Sequence, residues 1–360
     1  MLHAIIMAGG TGTRFWPAST NDAPKQLLQL VGDTTMLRQT LDRLGDLVPS
    51  ERRFVLTNER LIPAVREQLP ELPKEAVIGG PCKRDTAPCI GLAALLVSRV
   101  DPEATMAVMP ADHVIKPAEQ FRAAILQAAQ MVDDLPGRII TFGIKPTYPA
   151  EVFGYIHRGK PLASSHSTAP TYAVQRFEEK PDAATAKKYV DSGEYYWNSG
   201  VFVWRASTIL DALRQRQPEM LQHLEAIAAA WDSTDHDAVL QREFAAIQPI
   251  SIDYAVMEQA TDVAVIEAPF EWDDLGGWQS LARLLGRDEN GNTIVGKHLG
   301  METTGTVVRT DDNHLVVTLG LKDMIVVHTP HSTLVANKHD EEKIRQIVKD
   351  LESRGWTEYL

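Results

Sequence analysis

Over the first 145 residues, short apolar runs alternate with segments whose apolar positions recur every three or four residues. His3 to Met7, Arg53 to Thr57, Ala76 to Ile78, Thr105 to Met109 and Arg138 to Phe142 are brief, rich in Ile, Val, Met and Phe, and bounded by turn residues, so they predict buried strands. Met36 to Leu47, Arg60 to Leu69, Ala87 to Val100 and Ala118 to Val132 carry the helical spacing. This alternation predicts a parallel sheet covered by helices, with ligands held beyond the carboxyl ends of the strands. Further strands are expected at Phe153 to Ile156, Tyr172 to Phe177 and Val201 to Trp204, with a helix at Ala183 to Asp191 and more helices up to Met257. After the turn cluster Asp288 to Asn292, strands are expected at Thr306 to Arg309, Leu315 to Thr318, Met324 to His328 and Ser332 to Ala336, before a charged helix at His339 to Arg354. The pattern therefore divides the chain into residues 1–287 and a small β-rich domain, 288–360.

Composition narrows the partners. Of 360 residues, 36 are Lys or Arg and 48 are Asp or Glu, a formal charge of -12, which disfavours nucleic acid and anionic membranes unless a local basic patch overrides it. The amino terminus has no positively charged leader, and no apolar run reaches the ~18 residues of a membrane span, so a cytoplasmic setting is the default. Cys82 and Cys89 are too few for a disulfide framework and lack a zinc-pair spacing, and the histidines show no HxxxH or HExxH pattern.

The most informative segment follows the first strand: Ala8-Gly9-Gly10-Thr11-Gly12-Thr13-Arg14-Phe15-Trp16-Pro17, then Pro24-Lys25-Gln26. Three glycines in four positions allow backbone N–H groups to approach an anionic phosphate chain. Neither the Walker loop nor the dinucleotide fingerprint is met: Gly10-Thr11-Gly12 is followed by Thr13, Arg14 and Phe15, so the last glycine is missing and Arg14 ends the loop instead. Two cations, Arg14 and Lys25, suit a polyphosphate whose charge shifts during transfer. Asp112, in Met109-Pro110-Ala111-Asp112-His113, and the acids of Trp272-Asp273-Asp274-Leu275-Gly276-Gly277 could hold Mg²⁺ against phosphate oxygens; each reads equally well as a helix cap. Glu179 and Lys180 end a strand and could meet sugar hydroxyls and a sugar phosphate; Asn198, before the next strand, offers an amide able to donate and accept, and Gly154 a bare backbone under a pyranose ring. Ser199 is not in a GxSxG setting, so nucleophilic hydrolase chemistry has no support.

Together, GGTGTRFWP with PKQ, KRDTAPCIGLAA, PADHVI, FGYI, FEEKP, WNSGVF, SIDYAVME and WDDLGGW resemble the sugar-nucleotidyltransferase family, in family order over residues 3–280, and within it the guanylyl-transferring, mannose 1-phosphate branch. The resemblance implies a Rossmann-like, mixed but mainly parallel sheet flanked by helices, with a β-helix-like cap that can mediate a homodimer. It implies transfer of GMP from GTP to mannose 1-phosphate, giving GDP-mannose and pyrophosphate, without a covalent enzyme intermediate. Carried onto this sequence, Ala8, Gly9, Gly10, Thr11, Gly12 and Thr13 would bind nucleotide and triphosphate. Arg14 and Lys25 would be catalytic, and Asp112 and Asp274 would bind Mg²⁺, with Asp274 preferred over Asp273 by the WxDxG pattern. Lys180 would meet the sugar phosphate, Gly154, Glu179 and Asn198 the mannose, and Arg84, Asp85, Thr86 and Ala87 the guanine. Asp85 replaces the Asn usual in the family, removing a donor and adding negative charge near a nucleotide. Longer relatives append an isomerase domain, for which 360 residues leave no room, so one activity is expected. Another nucleotide or hexose 1-phosphate and a non-catalytic sugar-nucleotide sensor are the alternatives; a dinucleotide oxidoreductase is disfavoured because the fingerprint's last glycine is missing after Arg14.

Overall fold

A computed structural model describes residues 1–163, 168–311 and 313–360. Its strands, in chain order, are β1 (Leu2–Met7), β2 (Arg53–Asn58), β3 (Val77–Gly80), β4 (Thr105–Pro110), β5 (Val114–Lys116), β6 (Ile139–Ile144), β7 (Gly154–Pro161), β8 (Thr171–Glu179), β9 (Tyr195–Arg205), β10 (Val263–Glu267), β11 (Glu271–Asp273), β12 (Thr293–Val295), β13 (Lys297–Met301), β14 (Val307–Arg309), β15 (Leu315–Leu319), β16 (Met324–His328) and β17 (Thr333–Asn337).

The chain forms two compact units, described separately. The first comprises Met1–Gly9, Leu41–Pro110 and Ile115–Trp272. Among the described residues, its sheet has nine strands in the order β3-β2-β1-β4-β9-β6-β10-β8-β7. The β3-β2-β1-β4 half is parallel, as the alternating pattern predicts; β9 enters antiparallel to both β4 and β6. The four central residues of β1 are buried, so both of its faces are covered, which is why it reads as a continuous apolar run. The helix Thr86–Val100 packs against β1, β2 and the helices Ala206–Arg216 and Pro218–Ala229, while Ala118–Asp134 packs on β4, β6 and β9. Tyr155 and Trp197, both buried, anchor a separate aromatic cluster with Phe153 and Tyr189.

One expectation is corrected here. Asn198 lies inside β9 and not ahead of it, since Tyr195-Tyr196-Trp197 extends the strand toward the amino end and Gly143 of β6 faces Asn198 across the ladder. Aromatic residues favour the pleated, half-buried surface of a strand, and the Asn-Ser-Gly turn signal is overridden by that pairing.

The second unit comprises Gly10–Thr40, Ala111–Val114 and Asp273–Leu360. Its short strands stack in parallel, β12-β14-β16, with β17 antiparallel at the end; β13 and β15 form a second parallel pair. Parallel strands this short, separated by tight turns, give the β-helix-like cap expected from the sequence. Its core joins residues far apart in the chain: Phe15, Trp16, Val31 and Met36 pack with Leu275, Trp278, Leu281, Val307, Ile325, Leu334 and Ile344. Phe15 meets Trp278 edge to face at 5.0 Å. The closing segment is not one helix: Lys338–Lys343 is 3-10 and Ile344–Ser353 is α-helical. The tighter turn brings Glu341 to Gln279, whose backbone N–H and side-chain amide donate to its two carboxylate oxygens at 3.0 Å each.

Candidate functional site

In the first unit, β1 hands the chain to the glycine loop through Ala8, whose N–H donates to Leu56 O at 2.7 Å and whose carbonyl accepts from Thr57 Oγ1 at 3.0 Å. Ala8 is thereby committed to the sheet. The N–H groups of Gly9, Gly10 and Thr11 have no intramolecular acceptor among the described residues, and all three are exposed. A Cβ added at Gly10 would meet nothing within 4 Å, so protein packing does not demand the missing side chain. Gly12 is different: its φ is 63°, and a Cβ there would lie 2.3 Å from Lys25 Cβ. Gly12 O accepts from Ser19 Oγ at 2.7 Å and from Phe15 N at 2.8 Å, closing the turn.

That turn delivers two cations within the second unit. Lys25 is only 6% exposed, and its Nζ donates to Asp112 Oδ2 at 2.8 Å and to the carbonyl of Asp274 at 2.6 Å. A buried lysine ordinarily carries a large desolvation cost, which this pairing offsets. Arg14 donates through Nη1 to Gly276 O at 2.5 Å, and its Nε lies 3.3 Å from Glu342 Oε1. Neither Asp112 nor Asp274 caps a helix: Pro117 precedes one helix and Gly277 the other, while Asp273 accepts from Leu275 N and pairs with Arg283 at 2.9 Å. The two remaining acids are pushed in opposite directions. Burial works against ionised Asp112, but Lys25 and then His113 bring its pKa below the usual carboxylate value. Burial raises Asp274, with Asp273 adding to the effect and Lys25 opposing it.

Whether these groups fit a divalent cation can be tested on their chemistry. Two carboxylates suit Mg²⁺, which takes one or two protein oxygens and leaves its other positions to water and phosphate. A Cβ at Gly276 would stand 2.9 Å from Arg14 Nη1 and 3.2 Å from Asp274 Oδ2, so the glycine preserves a cradle beside that carboxylate. The residue types present suit the ion, with one oxygen of Asp112 already engaged by Lys25.

A second polar set lies in the first unit. Gly154 of β7 faces Glu179 of β8 in register. A Cβ at Gly154 would lie 2.5 Å from Glu179 Oε2 and 3.4 Å from Asn198 Cβ, so only glycine admits this close approach. Glu179 pairs with Lys180 Nζ at 2.7 Å; burial opposes the cation, but the ion pair still holds Lys180 above its ordinary pKa. Asn198 Oδ1 accepts from Thr141 Oγ1 at 3.0 Å and Gly200 N at 3.3 Å, while Nδ2 donates to Asp253 Oδ1 at 3.3 Å. Thr141 Oγ1 has one proton, for which Val201 O at 3.0 Å competes, so Gly200 N and Asp253 are the partners that orient the amide, and one N–H of Nδ2 remains for a ligand.

The Arg84 to Ala87 segment is mostly committed to structure. Arg84 donates from Nε to Phe244 O at 3.2 Å, from Nη2 to Ala245 O at 2.6 Å and from Nη1 to Lys83 O at 3.0 Å. Asp85, at φ 66°, caps the helix by accepting from Thr86 N at 2.9 Å. Thr86 Oγ1 accepts from Ile252 N at 2.8 Å and Ala87 N donates to Ile250 O at 3.1 Å. This stitching fixes the Ser251-Ile252-Asp253 segment beside Asn198, and brings in Asp253, which reading the sequence residue by residue did not single out. Burial first, then Glu179 and Asp85, push Asp253 up to about 7, with Lys180 opposing.

A model of the nucleotidyl transferase family matches residues 3–290, and one described as a MannoseP isomerase/GMP-like beta-helix domain matches residues 296–351. The chain belongs to the nucleotidyl transferase family. Among its relatives, the mannose-1-phosphate guanylyltransferase of Escherichia coli (strain K12) is 38% identical over 363 residues, covering 99% of this chain and 75% of its own length. That of Klebsiella pneumoniae is 38% identical over 362 residues, covering 100% of this chain and 76% of its own. A crystal structure described as mannose-1-phosphate geranyltransferase from Thermus thermophilus superposes with a TM-score of 0.85 at 33% identity, covering 98% of this chain and 99% of that one. No helix among the described residues is long and apolar enough to cross a membrane.

Proposed function

We propose that this chain is a mannose-1-phosphate guanylyltransferase: it joins GTP to mannose 1-phosphate, yielding GDP-mannose and pyrophosphate. An oxygen of the sugar phosphate attacks the α-phosphorus of GTP; the new O–P bond forms as the bond to the pyrophosphate oxygen breaks. Such transfer asks the protein for positioning and charge stabilisation more than for covalent chemistry. The observation that carries the reading is Lys25, buried and fixed between Asp112 and the Asp274 carbonyl, packed against a glycine loop with open N–H groups.

In this reading the N–H groups of Gly9, Gly10 and Thr11 cradle the triphosphate, with Gly12 and Thr13 shaping the turn and Ala8 anchoring it. Arg14 and Lys25 offset charge on the α-phosphate and the leaving pyrophosphate. Asp112 and Asp274 hold Mg²⁺, which supplies further neutralisation of the phosphates. Glu179, Lys180, Asn198 and Gly154 take the sugar phosphate. Asp85, Thr86 and Ala87 border the guanine; Arg84 supports them through its carbonyl contacts. Residues 1–287 are the catalytic region and 288–360 the cap, a division that the spans of the two family models support.

A homodimer belongs to the same proposal. Leu299 and Met301 of β13 and Leu315, Val317 and Leu319 of β15 sit on one face of their sheet in register, each at least 55% exposed. Such a contiguous apolar face is expected to be covered. The cytoplasm, a reducing setting suited to the unpaired Cys82 and Cys89, is the proposed location.

The test is pyrophosphate release across a panel of nucleoside triphosphates and sugar 1-phosphates, with and without Mg²⁺. GTP with mannose 1-phosphate and Mg²⁺ is expected to be preferred; equal or better rates with UTP, dTTP or ATP would overturn the guanylyl assignment. Light scattering of Val317→Glu against the parent protein reads the dimer.

A further inference from the structure

Asp253 has no task in the fold that its surroundings do not already perform. It sits in the first turn of a four-residue helix, Ile252–Ala255, whose cap is Ser251, with Oγ accepting from Tyr254 N. The segment is held through Ile250 and Ile252 by Ala87 and Thr86. The Asp253 side chain is half-buried and accepts from Asn198 Nδ2. The nearby ammonium of Lys180 bonds Glu179.

We propose that Asp253 is a sugar-binding residue, acting with Asn198 as a bracket on one hydroxyl of the sugar phosphate. This rests on the sugar 1-phosphate reading of the site. A hydroxyl both accepts and donates. The one N–H left on Asn198 donates to the hydroxyl oxygen, and the hydroxyl proton goes to the Asp253 carboxyl. Gly200 N on Asn198 Oδ1 and Asp253 on Nδ2 fix which way the amide faces, which makes the bracket directional. Glu179, kept close by Gly154, is left for a second hydroxyl, and Lys180 for the phosphate.

The charged and titratable groups facing Asp253 are Glu179 and Lys180 at the end of β8, Asp85 at the start of the Thr86–Val100 helix, and its neighbour Tyr254. Two of them are acids and Lys180 is already paired with Glu179, so the ionised Asp253 is only partly compensated by Lys180 and the Asn198 N–H. Its raised pKa is consistent with an acceptor waiting for a donor from outside the protein.

The test measures initial rates of wild type, Asp253→Asn and Asp253→Ala with mannose 1-phosphate and with analogues each lacking one hydroxyl. In Asp253→Ala the KM for mannose 1-phosphate is expected to rise about tenfold or more, as when a site built to bond a hydroxyl loses its partner, with kcat and the KM for GTP changed less than about threefold. Wild type is expected to lose about tenfold on removal of one particular hydroxyl, and Asp253→Ala to show almost no further loss on that analogue while keeping wild-type losses on the others. A variant whose losses run parallel to wild type across every analogue, or whose KM for GTP rises equally, overturns the proposal. If Asp253→Ala does not fold, Asp253→Asn, which keeps shape and can still accept from the Asn198 N–H but then offers the hydroxyl a donor in place of an acceptor, carries the same comparison. Failure of the broader reading appears separately, as wild type that prefers another sugar phosphate or turns none over. Calorimetric titration of the preferred sugar phosphate into the same proteins still reads Asp253, and equal affinity in all three proteins overturns its role.

Discussion

The two polar sets of this protein are built on opposite plans. Around Lys25 the charges are matched before any ligand arrives: a buried ammonium meets a carboxylate and a carbonyl, and Arg14 meets a carbonyl and Glu342. Around Asn198 the acids Glu179, Asp253 and Asp85 outnumber the one lysine that neutralises them, and Asp253 is left poised near neutrality. The first plan makes binding groups that are also structural, so altering them disturbs folding and chemistry together. The second leaves groups whose loss is felt mainly by the ligand, because they stabilise little or cost stability.

The largest expected effect breaks the first set. Lys25→Ala is expected to lower kcat about 10³-fold and to cost about 2 kcal/mol of stability, because Asp112 is left half-buried without its cation. Pyrophosphate release and a denaturant melt read the two effects, and a near-normal rate would remove the catalytic assignment. Next, Gly12→Ala is expected to be destabilised by more than about 2 kcal/mol, since φ 63° and the 2.3 Å approach to Lys25 Cβ both penalise a side chain. Gly10→Ala, entering open space, is expected to melt like wild type while the KM for GTP rises. If both variants melt alike, the division between a structural and a binding glycine is wrong.

The second set predicts milder outcomes. Gly154→Ala must displace the Glu179 carboxylate 2.5 Å away, so the KM for the sugar phosphate is expected to rise about tenfold with little change in melting temperature. The smallest effect is in pH. Asp253 has a folded pKa raised from 3.8 to about 7, so it binds its proton more tightly folded than unfolded. Its contribution to stability is complete below about pH 4 and declines as pH rises toward 7. Asp253→Asn, which cannot ionise, is therefore expected to melt a few degrees above wild type at pH 8 and to show little gain at pH 4. A gain independent of pH would mean that ionisation of Asp253 is not what costs stability.

The parallel strands were legible because a strand buried on both faces is a continuous apolar run: Ile5, Ile6 and Val108 needed no partner to reveal them. β5, β11 and β12, three residues each, are too short to show a period. The glycine loop and Lys25 were legible as residue types, but the contact of Lys25 with Asp112 spans 87 residues and is visible only once folded. Asn198 was legible as an amide, but its partner Asp253 lies 55 residues further along the chain and meets it only once folded. Asp253 lay inside a segment that was quoted for its likeness; its signal, an acid just after a serine that already caps the turn, is weak without Asn198 beside it.

The core beneath the glycine loop carries a consequence for how the chain is made. Phe15 and Trp16 leave the ribosome early, but their packing partners Trp278, Ile325 and Ile344 come more than 250 residues later. At about 5–20 residues per second, the two aromatics wait on the order of ten seconds or more for cover. Throughout that interval Phe15 and Trp16 form an unprotected hydrophobic segment of the kind chaperones hold, so the glycine loop just before them is among the last parts of the newly made protein to take shape.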